Sequence, residues 1–267
     1  MSVSLSPALV ERYEHDGILF PIPVLSSTEV TEYRNALESV ASMCGEGYRR
    51  RFDNLHLFFP WAYRLATNEA VLNAVEGVLG PDIVIDATLV FYKPPYDSGY
   101  AAWHQDSVYS NWHLTPAVSA WIALTPSEPA NGCMRVVPGT HQEGVREHDT
   151  VVDDPDLMNR RGERVRVDVS EAQAVDVILQ PGEMSLHHAN IVHGSNANGS
   201  DGPRIGFIVR FVTSQTMNRE RLQMQVRGNA DCSHLRLATP PLEEDLAIAV
   251  TAWKAREPNS AASAGRG

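Results

Sequence analysis

The stretch AVDVILQPGEMSLHHANIVHGS, residues 174–195, carries two β-rich runs punctuated by Pro, Gly and Asn. Side chains alternate between the faces of a strand. Counting back from His193, Ile191, Ala189 and His187 share its inner side, and His188 and Asn190 point outward unless a bulge intervenes. His187 thereby becomes a candidate cavity-lining, substrate-binding residue. Similar runs lie on both sides: DIVIDATLVFY (82–92), AVSAWIAL (117–124), MRVVPG (134–139) and RIGFIVRFV (204–212). Many short strands separated by turn signals predict a barrel or sandwich. The polar stretch from His141 to about Ala174 has little strand character and reads as a loop over one mouth, a candidate lid.

Helices flank this β region. SPALVERYEHDG (6–17) has Ser6 as N-cap, Pro7 at the first helical position and Gly17 at the stop. ILFPIPV (18–24) is a short strand broken by its prolines. SSTEVTEYRNALESVASMCG (26–45) and PWAYRLATNEAVLNAVEGVLG (60–80) each read as one helical region, and PPLEEDLAIAVTAWKAR (240–256) as a last helix. No linker or repeat divides the chain. Residues 1–255 are expected to form one domain, and 256–267 a disordered tail.

The bulk numbers exclude several function classes. The 267 residues carry a formal net charge of −11, which disfavours nucleic acid and anionic membranes as partners. The basic clusters YRRR (48–51) and RRGERVR (160–166) read as solvated faces or loops. Cys44, Cys133 and Cys232 are odd in number and widely spaced, which argues against a disulfide framework and fits a reducing, cytoplasmic setting. Neither a secretory signal nor a membrane-length apolar run is visible.

AAWHQDSVY (101–109) then stands out. On a strand, His104 and Asp106 present an imidazole and a carboxylate on one face, with Gln105 turned the other way. A lone HxD is common. His193, at the end of a strand-like run, supplies a second imidazole, and two histidines with one carboxylate leave three positions open on a non-haem Fe(II) ion. Arg204, eleven residues on, suits a bidentate carboxylate clamp.

Taken in order, WHQD, AWIAL, NGCMRVVPGTH, AVDVILQPGEMSLHH, IVHGS and RIGFIVRF resemble the phytanoyl-CoA dioxygenase family from about residue 8 to about residue 240. The resemblance implies a mainly β fold, a double-stranded β-helix (jelly roll, cupin-like) with flanking α-helices. It implies Fe(II), 2-oxoglutarate and O2, with hydroxylation of a substrate C–H and release of succinate and CO2. His104, Asp106 and His193 match the iron ligands, and Arg204 and Ser195 match the groups that hold the distal carboxylate of 2-oxoglutarate. Relatives carry a tryptophan six residues after the first histidine; here Trp112 comes eight after, so Tyr109 or Trp112 fills that role. Trp121 walls the same cavity or packs in the core.

Related halogenases replace the carboxylate with a small residue. Asp106 is kept here, which favours hydroxylation over chlorination. Desaturation, epoxidation or cyclisation stay open, as does a jelly-roll binding protein without turnover. Asn54 and His56 in NLHLFFP (54–60) are candidate substrate contacts or a cap and a packed histidine. Lys93 meets an anionic substrate group or snorkels at the surface. The motif wording resembles a subgroup that hydroxylates small polar metabolites, including aminoalkylphosphonates, so the expected partner is a small, polar, amine- or acid-bearing substrate.

Overall fold

The computed structural model describes residues 4–45, 50–109, 116–150, 154–158, 163–166, 169, 171–216 and 221–256. Its largest sheet has seven antiparallel strands. In spatial order these are β1 (Ile18–Pro23), β10 (Glu183–His188), β5 (Ala117–Ala123), β12 (Arg204–Thr213), β3 (Ile83–Lys93) and β13 (Met224–Arg227), with β2 (Arg51–Asp53) also paired to β3. A second antiparallel sheet has the order β4 (Ala101–His104), β11 (Val192–Ser195), β6 (Met134–Val137), β9 (Val175–Asp176).

The central strands read as unbroken apolar runs because both faces of the large sheet are covered. Ile205, Phe207, Val209 and Phe211 of β12 pack with Leu37, Leu65, Val75 and Trp253 from the helical layer. The intervening Ile208 packs on the opposite face with Trp121, Leu89, Val136 and Ile191. Val136 lies in the second sheet and Ile191 just before β11, so the space between the sheets is lined by residues of both.

The helices are α1 (Pro7–Asp16), α2 (Ser27–Cys44), α3 (Pro60–Ala66), α4 (Glu69–Leu79) and α5 (Leu246–Arg256). α2 begins in a reciprocal cap: the Ser26 hydroxyl accepts from the Glu29 amide, and the Glu29 carboxylate accepts from the Ser26 amide. The side chain of Trp253 on α5 is fully buried and donates to the Asp53 carbonyl at 2.7 Å, tying α5 to β2.

Four expectations change. The helical region 60–80 is two helices, because the Asn68 side chain accepts from the Ala70 amide and starts α4 anew. The last helix begins at Leu246 rather than after Pro240. The 141–174 excursion holds a strand pair, β7 (His148–Thr150) with β8 (Glu163–Val165), at its described ends. Residues 187–193 do not run as one alternating strand: the Ile191 amide bonds the His188 carbonyl in a turn, and the chain crosses from the large sheet to the small one. Residues 257–267, most of the expected tail, lie outside the described residues.

Candidate metal centre and co-substrate site

His104 and His193 are direct ladder partners across β4 and β11, so strand pairing alone sets their rings side by side, with centroids 4.1 Å apart. β4 stops at His104, and Asp106 opens a 3-10 turn, Asp106–Tyr109. The carboxylate reaches the histidines by this turn rather than by strand alternation. Possible ligand atoms of His104, Asp106 and His193 all lie within 4.8 Å of one another, and all three residues are buried.

The donor set fits a divalent metal. His104 Nδ1 donates to the Ala102 carbonyl at 2.8 Å and His193 Nδ1 to the Ile191 carbonyl at 3.0 Å. Each bond fixes the tautomer with the proton on Nδ1, so that Nε2 is the nitrogen able to ligate. Burial pushes the His104 pKa down to about 4, against the pull of Asp106, and burial together with His104 holds His193 well below the usual histidine range. Both imidazoles are therefore neutral at pH 7 and able to ligate. Burial opposes ionisation of Asp106, but Arg210 beside it, His187 and His193 hold its carboxyl well below the usual carboxylate range.

Gln105, between the two ligands, does turn the other way. Its amide donates to the Asn190 carbonyl at 2.6 Å and the Gly144 carbonyl at 2.9 Å, and its carbonyl accepts from the Arg146 amide at 2.8 Å. The metal-binding turn is thus fastened to the root of the 141–174 segment. Nothing in an HxD pattern shows this clamp, because its partners lie about forty and eighty-five residues away in sequence.

A second cluster sits two residues along β11 from His193. Lys93 and Arg204 are ladder partners on β3 and β12. Lys93 is 1% exposed, so it is not a snorkelling surface lysine. Its ammonium donates to Ser195 Oγ at 2.8 Å and to the Asn196 carbonyl. Arg204 is 2% exposed; it donates to the Gly132 carbonyl, and its Nε has no hydrogen-bond partner. Its guanidinium stands 5.1 Å from the centre of the Trp121 ring. That indole lies flat against Gly206, where a Cβ would sit 2.0 Å from the ring, so only glycine fits. Burial lowers the Arg204 pKa to about 10, and burial with Arg204 nearby lowers Lys93 to about 6. Neither cation has an ion pair among the described residues. A buried guanidinium beside a buried amine, neither ion-paired with a carboxylate among the described residues, makes a candidate anion site.

The other candidates separate. His187 faces the triad: its ring centroid is 5.0 Å from that of His193, and Nε2 is 3.4 Å from Asp106 Oδ2. His56 lies elsewhere. It is fully buried, bonds Thr88 Oγ1 at 2.9 Å, and so sits on the helix-facing side of β3, opposite Ala87 and Leu89. Of its two readings, this is the geometry of the packed histidine. Asn54 occupies the N-cap position of a 3-10 turn in a left-handed conformation with φ 55°, without a side-chain cap hydrogen bond to it. Tyr109 closes the turn after Asp106, but its side chain, like all of Trp112, lies outside the described residues. Ser119 and Arg210, which both bond Asp106, are absent from the sequence reading. Strand alternation held the signal: Ser119 is two residues from Trp121, and Arg210 is six from Arg204, each on the same face.

Comparison with known proteins agrees with this geometry. The family model described as phytanoyl-CoA dioxygenase (PhyH) matches residues 13–206. The solved structure of ThoJ, a non-haem monooxygenase, superposes with a TM-score of 0.77 at 31% identity, covering 96% of this chain and 98% of that one. An ectoine dioxygenase of Bordetella parapertussis is 24% identical over 256 residues, 84% of this chain and 81% of its own. The phytanoyl-CoA dioxygenase domain-containing protein 1 homolog of Caenorhabditis briggsae is 28% identical over 60% of this chain; the match spans 57% of that relative's length. With most of the chain covered by the family model and the His-Asp-His triad assembled, this protein belongs to the phytanoyl-CoA dioxygenase family of non-haem Fe(II)- and 2-oxoglutarate-dependent dioxygenases.

Proposed function

We propose that the protein hydroxylates an unactivated C–H bond of a small polar metabolite, consuming 2-oxoglutarate and O2 and releasing succinate and CO2. In this reading residues 1–255 form one oxygenase domain, and the two sheets are the faces of a double-stranded β-helix. His104, Asp106 and His193 would hold the ferrous ion, the histidines through Nε2 and Asp106 through its carboxylate. The metal, when bound, supplies activation of dioxygen coupled to decarboxylation of the keto-acid.

The protein's own residues do the placing. Arg204, Lys93 and Ser195 grip the distal carboxylate of 2-oxoglutarate, while Trp121 walls the pocket beside Arg204. Ser195 and His193 lie two residues apart on one strand face, about 7 Å at the usual rise. That matches the span of a five-carbon diacid stretched from metal to cation. The observation that carries the reading is the buried Arg204, with no carboxylate partner among the described residues, paired with Lys93, which bonds Ser195 two residues along β11 from the metal ligand His193.

His187, beside Asp106, faces the space where substrate meets the metal. The likeness to an ectoine dioxygenase supports a small polar substrate. The three buried free cysteines fit a reducing, cytoplasmic setting, and no described helix is long and apolar enough to cross a membrane.

The test is anaerobic addition of Fe(II) and 2-oxoglutarate. A weak visible charge-transfer band is expected, followed on admitting air by succinate that rises with the right small amine, amino acid or phosphonate. No band and no succinate would favour a binding protein on the same fold. Product masses separate hydroxylation from desaturation, epoxidation or cyclisation.

A further inference from the structure

Asp106 is the one member of the triad that no strand holds. The ladder between β4 and β11 sets the spacing of the two histidines, whereas a carboxylate on a turn has no such restraint. Its restraint comes from the opposite sheet. His187, Ser119 and Arg210 stand directly opposite one another across β10, β5 and β12, forming one row on the inner face. All three converge on Asp106. Ser119 Oγ donates to Oδ2 at 2.9 Å, His187 Nε2 approaches the same oxygen at 3.4 Å, and Arg210 donates to Oδ1 at 2.6 Å. The residues on either side of this row on β12, Ile208 and Val212, are apolar and buried.

An ionised carboxylate offers about four lone-pair directions. Ser119 takes one on Oδ2, His187 stands against that same oxygen at 3.4 Å, and Arg210 takes one on Oδ1. Among the described residues Oδ1 receives Arg210 alone, and Oδ1 is the oxygen that stands 3.8 Å from His104 Nε2. We propose that Arg210, Ser119 and His187 are positioning residues that hold Asp106 to the metal through a single oxygen. A two-oxygen grip would occupy one of the positions that 2-oxoglutarate and dioxygen require. The row also neutralises the carboxylate in the metal-free protein, so the ligand stays charged and aimed before the ion arrives. This inference rests on the metal-centre reading above.

The experiment is titration of the metal-free protein with Co(II), followed by its visible d–d absorption, which reports both affinity and coordination number. Arg210→Met is expected to weaken Co(II) binding about 10- to 100-fold and to change the band intensity. Arg210→Lys, which keeps the charge without the planar fork, should restore part of the affinity. Ser119→Ala frees one lone pair on Oδ2 at almost no change in volume, and should shift the spectrum while leaving the thermal midpoint near wild type. Folded variants with wild-type affinity and spectrum overturn the proposal. Should Arg210→Met fail to fold, Ser119→Ala and Arg210→Lys decide it, and unchanged spectra in both overturn it. A wild-type protein that binds no Co(II) brings down the metal-centre reading, and this inference with it.

Discussion

The two ends of the candidate site are built on opposite terms. At the triad each group is partnered: both histidines are tied through Nδ1 to a carbonyl, and Asp106 receives Ser119 and Arg210. At the other end, among the described residues, the hydrogen bonds of Arg204 and Lys93 go to carbonyl and hydroxyl oxygens. Burying a cation without an anion is costly, and the depressed Lys93 pKa of about 6 records that cost. The difference teaches that the metal end is organised in advance, while the cation end stays electrostatically unfinished until a dicarboxylate arrives.

The sharpest way to break this comparison is at the triad. His104→Ala or Asp106→Ala removes a ligand outright and should abolish iron-dependent succinate release. Co(II) affinity should fall by more than the roughly 10- to 100-fold typical of outer-shell changes. Retained turnover in either variant would contradict the assignment. Next comes Arg204→Met. Losing one partner of a buried charge pair costs about 2–5 kcal/mol. The 2-oxoglutarate requirement should therefore rise by roughly 30-fold or more, while Co(II) binding without co-substrate stays at the wild-type level. A parallel loss of metal would mean that the two ends are not separate.

Lys93→Met is expected to act more weakly, about tenfold on 2-oxoglutarate affinity, and through pH. In the free protein Lys93 is largely neutral above pH 6. A bound carboxylate raises its pKa, so binding takes up a proton. Affinity should then weaken as pH rises from 6 to 8. Calorimetry in buffers of different ionisation enthalpy measures that uptake, which the Met variant should lose.

The smallest kinetic effect is expected at His56. His56→Gln should leave both kinetic constants near wild type and lower stability by about 1–3 kcal/mol, read by denaturant midpoint. Burial depresses the His56 pKa to about 3, below the unfolded value of 6.5. Its contribution is therefore present above pH 6.5 and is lost as pH falls toward 3; the Gln variant should show a shallower acid slope. A kinetic defect in this variant would return His56 to the active site.

Local signals in the chain carried much of this. The capping pair Ser26 and Glu29, the turn glycine Gly17 and the runs of apolar residues from Ile83 to Phe211 place helices and strands by chemistry that acts over a few residues. The ligand types His104, Asp106 and His193 and the clamp Arg204 were legible because such chemistry tolerates few substitutes. The break at Asn68 and the turn at Ala189–Asn190 were not, since helical and strand periodicity each continue across them.

What the amino-acid order determined by itself was the inventory: which groups can ligate, which can hold a carboxylate, and which segments alternate. Only the tertiary structure decided their company. Strand pairing lined up His187, Ser119 and Arg210 beneath Asp106, set Lys93 against Arg204, and sent His56 to the far face of the sheet. The physical reason is that register is settled by long-range hydrogen bonding and burial, and no residue's near neighbours in the chain encode which strand will lie beside it.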